Sequence, residues 1–273
     1  MTTKTPLDQS DPFVSHDSVV RRIWGDGDVM LLVFAGGAAE FALNRAVDWL
    51  FFTGSLPADP MARLFSTARF VKEIVFVEEA VARQTLERIN RIHQAVERER
   101  GERIPDWAHR DVLYLLIDYS ERAYELLHRP LTAGEKDELY AVFRRVGCGL
   151  HIPDLPGGYE EWRQDRARHL RRDLAYSAYT AELYARYRRQ LGPWRWLLLR
   201  QVQALLAPER VCRLLGLKPQ PGLRHLLRAT YRPLVRIGLR PLIRRLLVPR
   251  EYIGHVRQMD EPTGSAPSAA PSR

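Results

Sequence analysis

Apolar residues recur along most of the chain at the three- and four-residue spacing of helices, and the runs are separated by short Gly/Pro breaks such as Thr53-Gly54, Arg129-Pro130 and Gly157-Gly158. The pattern predicts helices over about residues 29–52, 59–76, 78–100, 108–128, 132–148, 158–190, 193–206 and 208–215. Start signals support several of them. Asp59-Pro60 and Ala207-Pro208 put proline in a first turn, and Thr132 with Glu135 forms a capping box. Period-two alternation of β-branched residues is nearly absent, so the expected fold class is all-α in a single domain. Residues 1–17 read as a flexible leader and 259–273 as a Pro/Ser/Ala tail, with 18–220 as the main helical domain.

The stretch Val29–Thr53 is long enough to cross a bilayer, but Glu40, Arg45 and Asp48 interrupt it, so a buried core helix is expected instead. Arg21-Arg22 ahead of this stretch superficially looks like a twin-arginine export signal. Asp26, Asp28 and Glu40 break that pattern too, and no small-residue cleavage site follows. Cys148 and Cys212 cannot frame a secreted disulfide scaffold, and a cytoplasmic location is the expectation.

The net charge of +9 lies mostly in one place. Between Pro221 and Gln258, nine arginines less the single acid Glu251 leave +8, and six of the arginines recur every fourth residue from Arg224 to Arg244 among leucines. Pro233 and Pro241 are expected to divide this segment, 221–258, into short amphipathic helices. Two roles stay open: leucines packed on the domain with arginines in water, or a basic surface lying peripherally on an anionic membrane. No nucleic-acid reading module accompanies the charge, so nucleic acid is not an expected partner.

No phosphate loop, dinucleotide fingerprint, HExxH or paired CxxC is present, so any chemistry must come from side chains carried on helices. Arg63 and Thr67 share a helix face and could hold an anionic group or simply decorate the surface. His93 lies on the apolar stripe of Leu86, Ile89 and Val96, as a bonded core residue or as a ligand. Glu40, Asn44 and Asp48 form a polar line at four-residue steps, which is either a narrow solvent edge or the wall of a cavity. The Gly/Pro-marked run from Arg144 to Pro156 reads as a helix ending in a fixed turn, with His151 in a capping or surface role.

In order, Arg63-x-x-x-Thr67, Arg91-Ile-His93-x-x-Val96, Asp111-Val-Leu-Tyr-Leu-Leu, Arg129-Pro-Leu-Thr-x-x-Glu135, the Arg144–Pro156 run and Thr180…Tyr187…Leu191-Gly192-Pro-Trp-Arg195 resemble one family. It is the haem-dependent oxygenases that unite the MpaB-type prenyl-chain oxygenase with the rubber oxygenase, or latex-clearing protein. The resemblance covers about residues 25–220, and its latter half is closer to the MpaB branch. It implies a globin-like helical core holding haem b, with His93 as the iron ligand and Arg63 and Thr67 beside the haem. The implied activity is O₂-dependent cleavage of a C=C bond in a lipophilic isoprenoid or prenylated substrate. Rubber oxygenases carry a lysine directly before the matched threonine, where this chain has Ser66. Of their upstream acid only Asp48 or Glu40 is an approximation, which makes Asp48 the candidate proton-handling group, and a glycine they carry after the threonine is absent near Val77. The alternatives are a non-catalytic helical module that binds membranes or partners, and a haem sensor or carrier.

Overall fold

The computed structural model describes residues 11–52 and 59–260. Among the described residues there are thirteen α-helices and no strand, so the all-α expectation holds. In chain order they are α1 (Val19–Trp24), α2 (Gly27–Phe41), α3 (Val47–Phe52), α4 (Pro60–Val75), α5 (Glu79–Arg100), α6 (Asp106–Leu127), α7 (Ala133–Gly149), α8 (Tyr159–Arg172) and α9 (Ala178–Leu206). Beyond them lie α10 (Glu209–Leu215), α11 (Leu223–Arg236), α12 (Arg240–Leu247), a 3₁₀ turn (Arg250–Tyr252) and α13 (Ile253–Asp260).

α2 and α6 form the centre. Eleven of the fifteen residues of α2 are buried, and in α6 every residue from Leu113 to Ser120 is buried, so both helices are apolar nearly all round and need cover on every side. They approach closely because of two glycines. A Cβ on Gly36 would stand 2.6 Å from the Tyr119 ring, and one on Gly37 would stand 2.9 Å from Leu115 Cδ2. Helices α4, α7 and α9 complete the layers around this pair.

Two long expected helices are each broken by side-chain capping. The run over 29–52 stops at Phe41 because Asn44 Oδ1 accepts from the Ala46 amide, while Thr180 Oγ1 and the Ala175 amide donate to the carbonyls of Ala42 and Leu43. The run over 158–190 stops at Arg172, and the Ser177/Thr180 capping box starts α9 afresh. Gly192 then kinks α9 at φ 72°, ψ 172°. In the basic segment Pro233 lies inside α11 and does not divide it. Gly238, at φ 80°, makes the break, and Pro241 sits in the first turn of α12.

Of the expected leader, residues 11–17 are described, and they pack. Phe13 and Val14 are buried, the Phe13 amide donates to Val77 O, and Arg145 covers the Phe13 ring at 4.3 Å. Residues 1–10 and the tail from 261 lie outside the described residues. No described helix is long and apolar enough to cross a membrane.

The basic segment docks on the domain through apolar and charged residues alike: Leu223, Leu227 and Val235 pack against the core, and several arginines bond to it. Arg240 pairs with Asp26 at 3.1 Å and with Asp28 at 2.8 Å, Arg244 pairs with Asp28, and the Tyr231 hydroxyl donates to Asp28 at 2.6 Å. Arg224 and Arg232 donate to the carbonyls of Leu205 and Leu127. The outward face is mixed: Arg236, Arg245 and Arg250 are exposed, and Leu226, Ile237, Leu242 and Leu246 are each more than half exposed.

Candidate functional site

Asp59 caps α4 through the Ala62 amide and so sets Arg63 in the first turn. Thr67 follows one turn later, and both the Ser66 and Thr67 hydroxyls donate to the Arg63 carbonyl, at 2.8 and 3.2 Å. Each hydroxyl has thereby spent its proton locally and presents only lone pairs outward. The Arg63 side chain has no carboxylate partner among the described residues, and burial pulls its pKa below the usual arginine value.

α5 brings His93 up to this group. The imidazole is half-buried and lies 4.7 Å, centroid to centroid, from His109 on α6. Burial, then His109, then the Arg63 charge push its pKa down to about 4. Burial lowers His109 as well, against the opposing pull of Glu97 and Asp106. His93 is therefore a neutral imidazole at physiological pH, and neither ring nitrogen has a hydrogen-bond partner among the described residues. A neutral, half-buried imidazole could ligate a metal, and the Arg63 guanidinium could hold an anionic group. His109 gave no signal in the sequence beyond its place in Trp107-Ala-His-Arg-Asp111.

Of the polar line, Glu40, Asn44 and Asp48 do not share one face, because the helix ends between the first two. Glu40 is buried in a bidentate pair with Arg166, both contacts at 2.6 Å, and Arg166 also reaches Asp118 at 3.0 Å. Burial disfavours the Arg166 cation, but Glu40 and Asp118 outweigh it and hold its pKa above the usual arginine value. Asn44 donates to Asp111 at 2.8 Å. Asp48 is bound by Arg100 at 2.8 Å, whose guanidinium stacks on Trp49, about two helical turns along α5 from His93. His151 lies in the turn after α7 at φ 57°, exposed, its Nδ1 3.4 Å from the Asn90 side-chain amide.

An almost wholly apolar cavity of about 140 Å³ lies between α2, α4, α9 and the end of α12. Met61, Leu64 and Phe65 form its α4 wall, about a third of a turn round that helix from Arg63 and Thr67. The volume suits a stretch of hydrocarbon rather than a porphyrin. Two polar groups touch it: Arg195, and Tyr187, whose hydroxyl is buried without a hydrogen-bond partner. Beside it the surface carries Trp194, Leu197, Leu198 and Leu247, all substantially exposed.

Fold and site together give an all-helical protein with a neutral, half-buried histidine and, separately, a hydrocarbon-lined cavity. Residues 21–237 match the family model described as ER-bound oxygenase mpaB/B'/rubber oxygenase, catalytic domain. The chain belongs to that family, and its domain is an oxygenase catalytic domain. No curated protein and no solved structure matches it.

Proposed function

We propose that this protein is a haem b-dependent oxygenase that cleaves a C=C bond of a lipophilic isoprenoid or prenylated substrate, with His93 as the iron ligand. The observation that carries the reading is the state of His93, which is neutral, half-buried, free of hydrogen bonds and next to the uncompensated Arg63 cation. These residues fit the group. The imidazole would take the iron, the Arg63 guanidinium would pair with a propionate, and the Thr67 oxygen would face the same side. Bound haem supplies O₂ binding and activation; the chain supplies orientation and a dry approach. Asp48 stays the candidate for proton handling only if Arg100 releases it, because an ion-paired carboxylate is a poor base. The latter half of the chain favours the MpaB branch.

The apolar cavity and the outward leucines of the basic segment support a substrate that partitions into lipid, and peripheral contact with an anionic membrane. The purified protein should carry a Soret band, or gain one on addition of haem, and His93→Ala should lose it. A wild-type protein that stays colourless with haem added ends the haem reading. O₂ consumption with a prenylated substrate separates an oxygenase from a haem carrier. Flotation on anionic vesicles, lost in Leu242→Ser/Leu246→Ser, tests the membrane contact.

A further inference from the structure

Away from His93, a second set of donors meets in the interior. Asp111 on α6, His169 on α8 and Asp173, the residue that caps α8, are exposed by only 3%, 2% and 4%. His169 Nδ1 lies 2.5 Å from Asp111 Oδ1 and 2.6 Å from Asp173 Oδ2, and one ligand atom from each residue falls within 4.8 Å of the other two. Yet neither Nδ1 nor Asp111 Oδ1 makes a hydrogen bond of acceptable geometry. An imidazole nitrogen has one in-plane orbital and can point one proton one way, so two carboxylates flanking it cannot both be served. Two buried atoms left without an aligned proton would each cost about 1–3 kcal/mol.

The other carboxylate oxygens of the set are already held. Asn44 Nδ2 donates to Asp111 Oδ2 at 2.8 Å and so leaves Oδ1 facing inward. Arg172 holds Asp173 with bonds of 2.7 and 3.0 Å. On the far side of the ring, Nε2 faces Asp165 at 3.7 Å, and that carboxylate is fixed by the Tyr114 hydroxyl at 2.7 Å and by Arg168. The Tyr114 ring packs edge-on against the imidazole at 5.3 Å. A histidine whose Nε2 is turned to a fixed carboxylate while Nδ1 joins two oxygens has the layout in which outer partners orient metal ligands.

We propose that Asp111, His169 and Asp173 bind one divalent first-row transition ion, Zn²⁺, Mn²⁺ or Fe²⁺, which ties α6 to the C-terminal end of α8. One imidazole and two carboxylates suit ions of this class, and a water or a second carboxylate oxygen takes the fourth position. Bonds of about 2.0–2.2 Å hold neighbouring donors about 3–3.5 Å apart, so the two carboxylate oxygens move away from Nδ1 by about half an ångström to one ångström on binding. The pair at i, i+4 in His169-Leu-Arg-Arg-Asp173 is the sequence trace of the site, and Asp111 reaches it only through the fold.

The test is elemental analysis and thermal melting of the full-length protein, with haem iron counted separately by its absorbance. One equivalent of non-haem metal is expected in the protein as purified or after incubation with the single ions. Melting should rise by several degrees with the ion and fall back with a chelator. Asp173→Asn and His169→Gln should lower the metal content at least tenfold, whereas His93→Ala keeps it. Loss of the Soret band in His93→Ala with the metal retained separates this site from the haem reading. If either ligand variant fails to fold, the wild-type protein decides alone. Less than a tenth of an equivalent, with no melting shift from any of the three ions, overturns the proposal and leaves the cluster an ion-pair network.

Discussion

Acid should expose the state of His93 directly. Its pKa is about 4 in the folded chain against 6.5 for the free side chain. The shift makes a definite pH window: above 6.5 both states are neutral and the group contributes nothing that varies. As pH falls from 6.5 toward 4 the unfolded chain takes a proton that the folded one refuses, and folded stability is lost. Integrating between these two values gives a loss of about 2 kcal/mol near pH 5 and about 3 kcal/mol near pH 4. The assay is urea unfolding of the haem-free protein at a series of pH values, for wild type and for His93→Gln, which keeps the volume and cannot titrate. The difference between the two stabilities should fall by about 2 kcal/mol between pH 7.5 and 5. His109→Gln run in parallel removes the repulsion that contributes to the shift, so the His93 loss should shrink without vanishing, because burial is the larger cause. A wild-type and His93→Gln pair whose difference stays flat within about 0.5 kcal/mol over that range would refute the claim that the imidazole is held neutral.

Three other perturbations follow from the packing. Arg166→Met leaves Glu40 and Asp118 buried without their shared cation and should cost about 3–5 kcal/mol in urea unfolding, while Glu40→Leu/Arg166→Met should recover much of it. Gly36→Ala must displace the Tyr119 ring from 2.6 Å, an overpacking cost of about 1–3 kcal/mol that calorimetry would register. Tyr187→Phe deletes a hydroxyl that has no partner, so stability should stay level or rise. A tenfold increase in KM for a prenylated substrate in that variant would mark the hydroxyl as a contact to substrate, and an unchanged KM would exclude that role.

What the sequence made legible was local. The Thr132/Glu135 box begins α7 as its residues require, and Gly192 kinks α9 where the Gly-Pro pair stood. The two long helices that broke did so for reasons outside their own windows. Asn44 reads as one polar residue in an apolar helix until Asp111, Thr180 and the chain around Leu174 are brought beside it, and then its turn becomes the cheaper conformation. The site divides in the same way. Arg63 and His93 could be paired by the order of motifs, since each sits on a helix with a clear apolar stripe. His109 and the Asp111, His169, Asp173 group could not, because their common environment exists only once α5, α6 and α8 are packed.

The basic segment marks the limit of periodicity most sharply. Spacing tells which residues share a face, and it set a winding band of arginines beside an apolar face in 221–258, but it is silent on which of them meets the domain. That choice falls to Asp26 and Asp28, which stand at the head of a helix buried almost throughout and need cations of their own. Arg240, Arg244 and the Tyr231 hydroxyl meet that need, and once they turn inward Leu242 and Leu246 must turn outward. These two carboxylates thus expose apolar residues on the face where Arg195 bonds the Leu246 carbonyl at 3.1 Å beside the cavity. Removing the carboxylates tests this coupling. Asp28→Asn should free α12 to roll its leucines inward, lowering vesicle binding although the net positive charge increases, and stronger binding in that variant would mean that charge alone governs the surface.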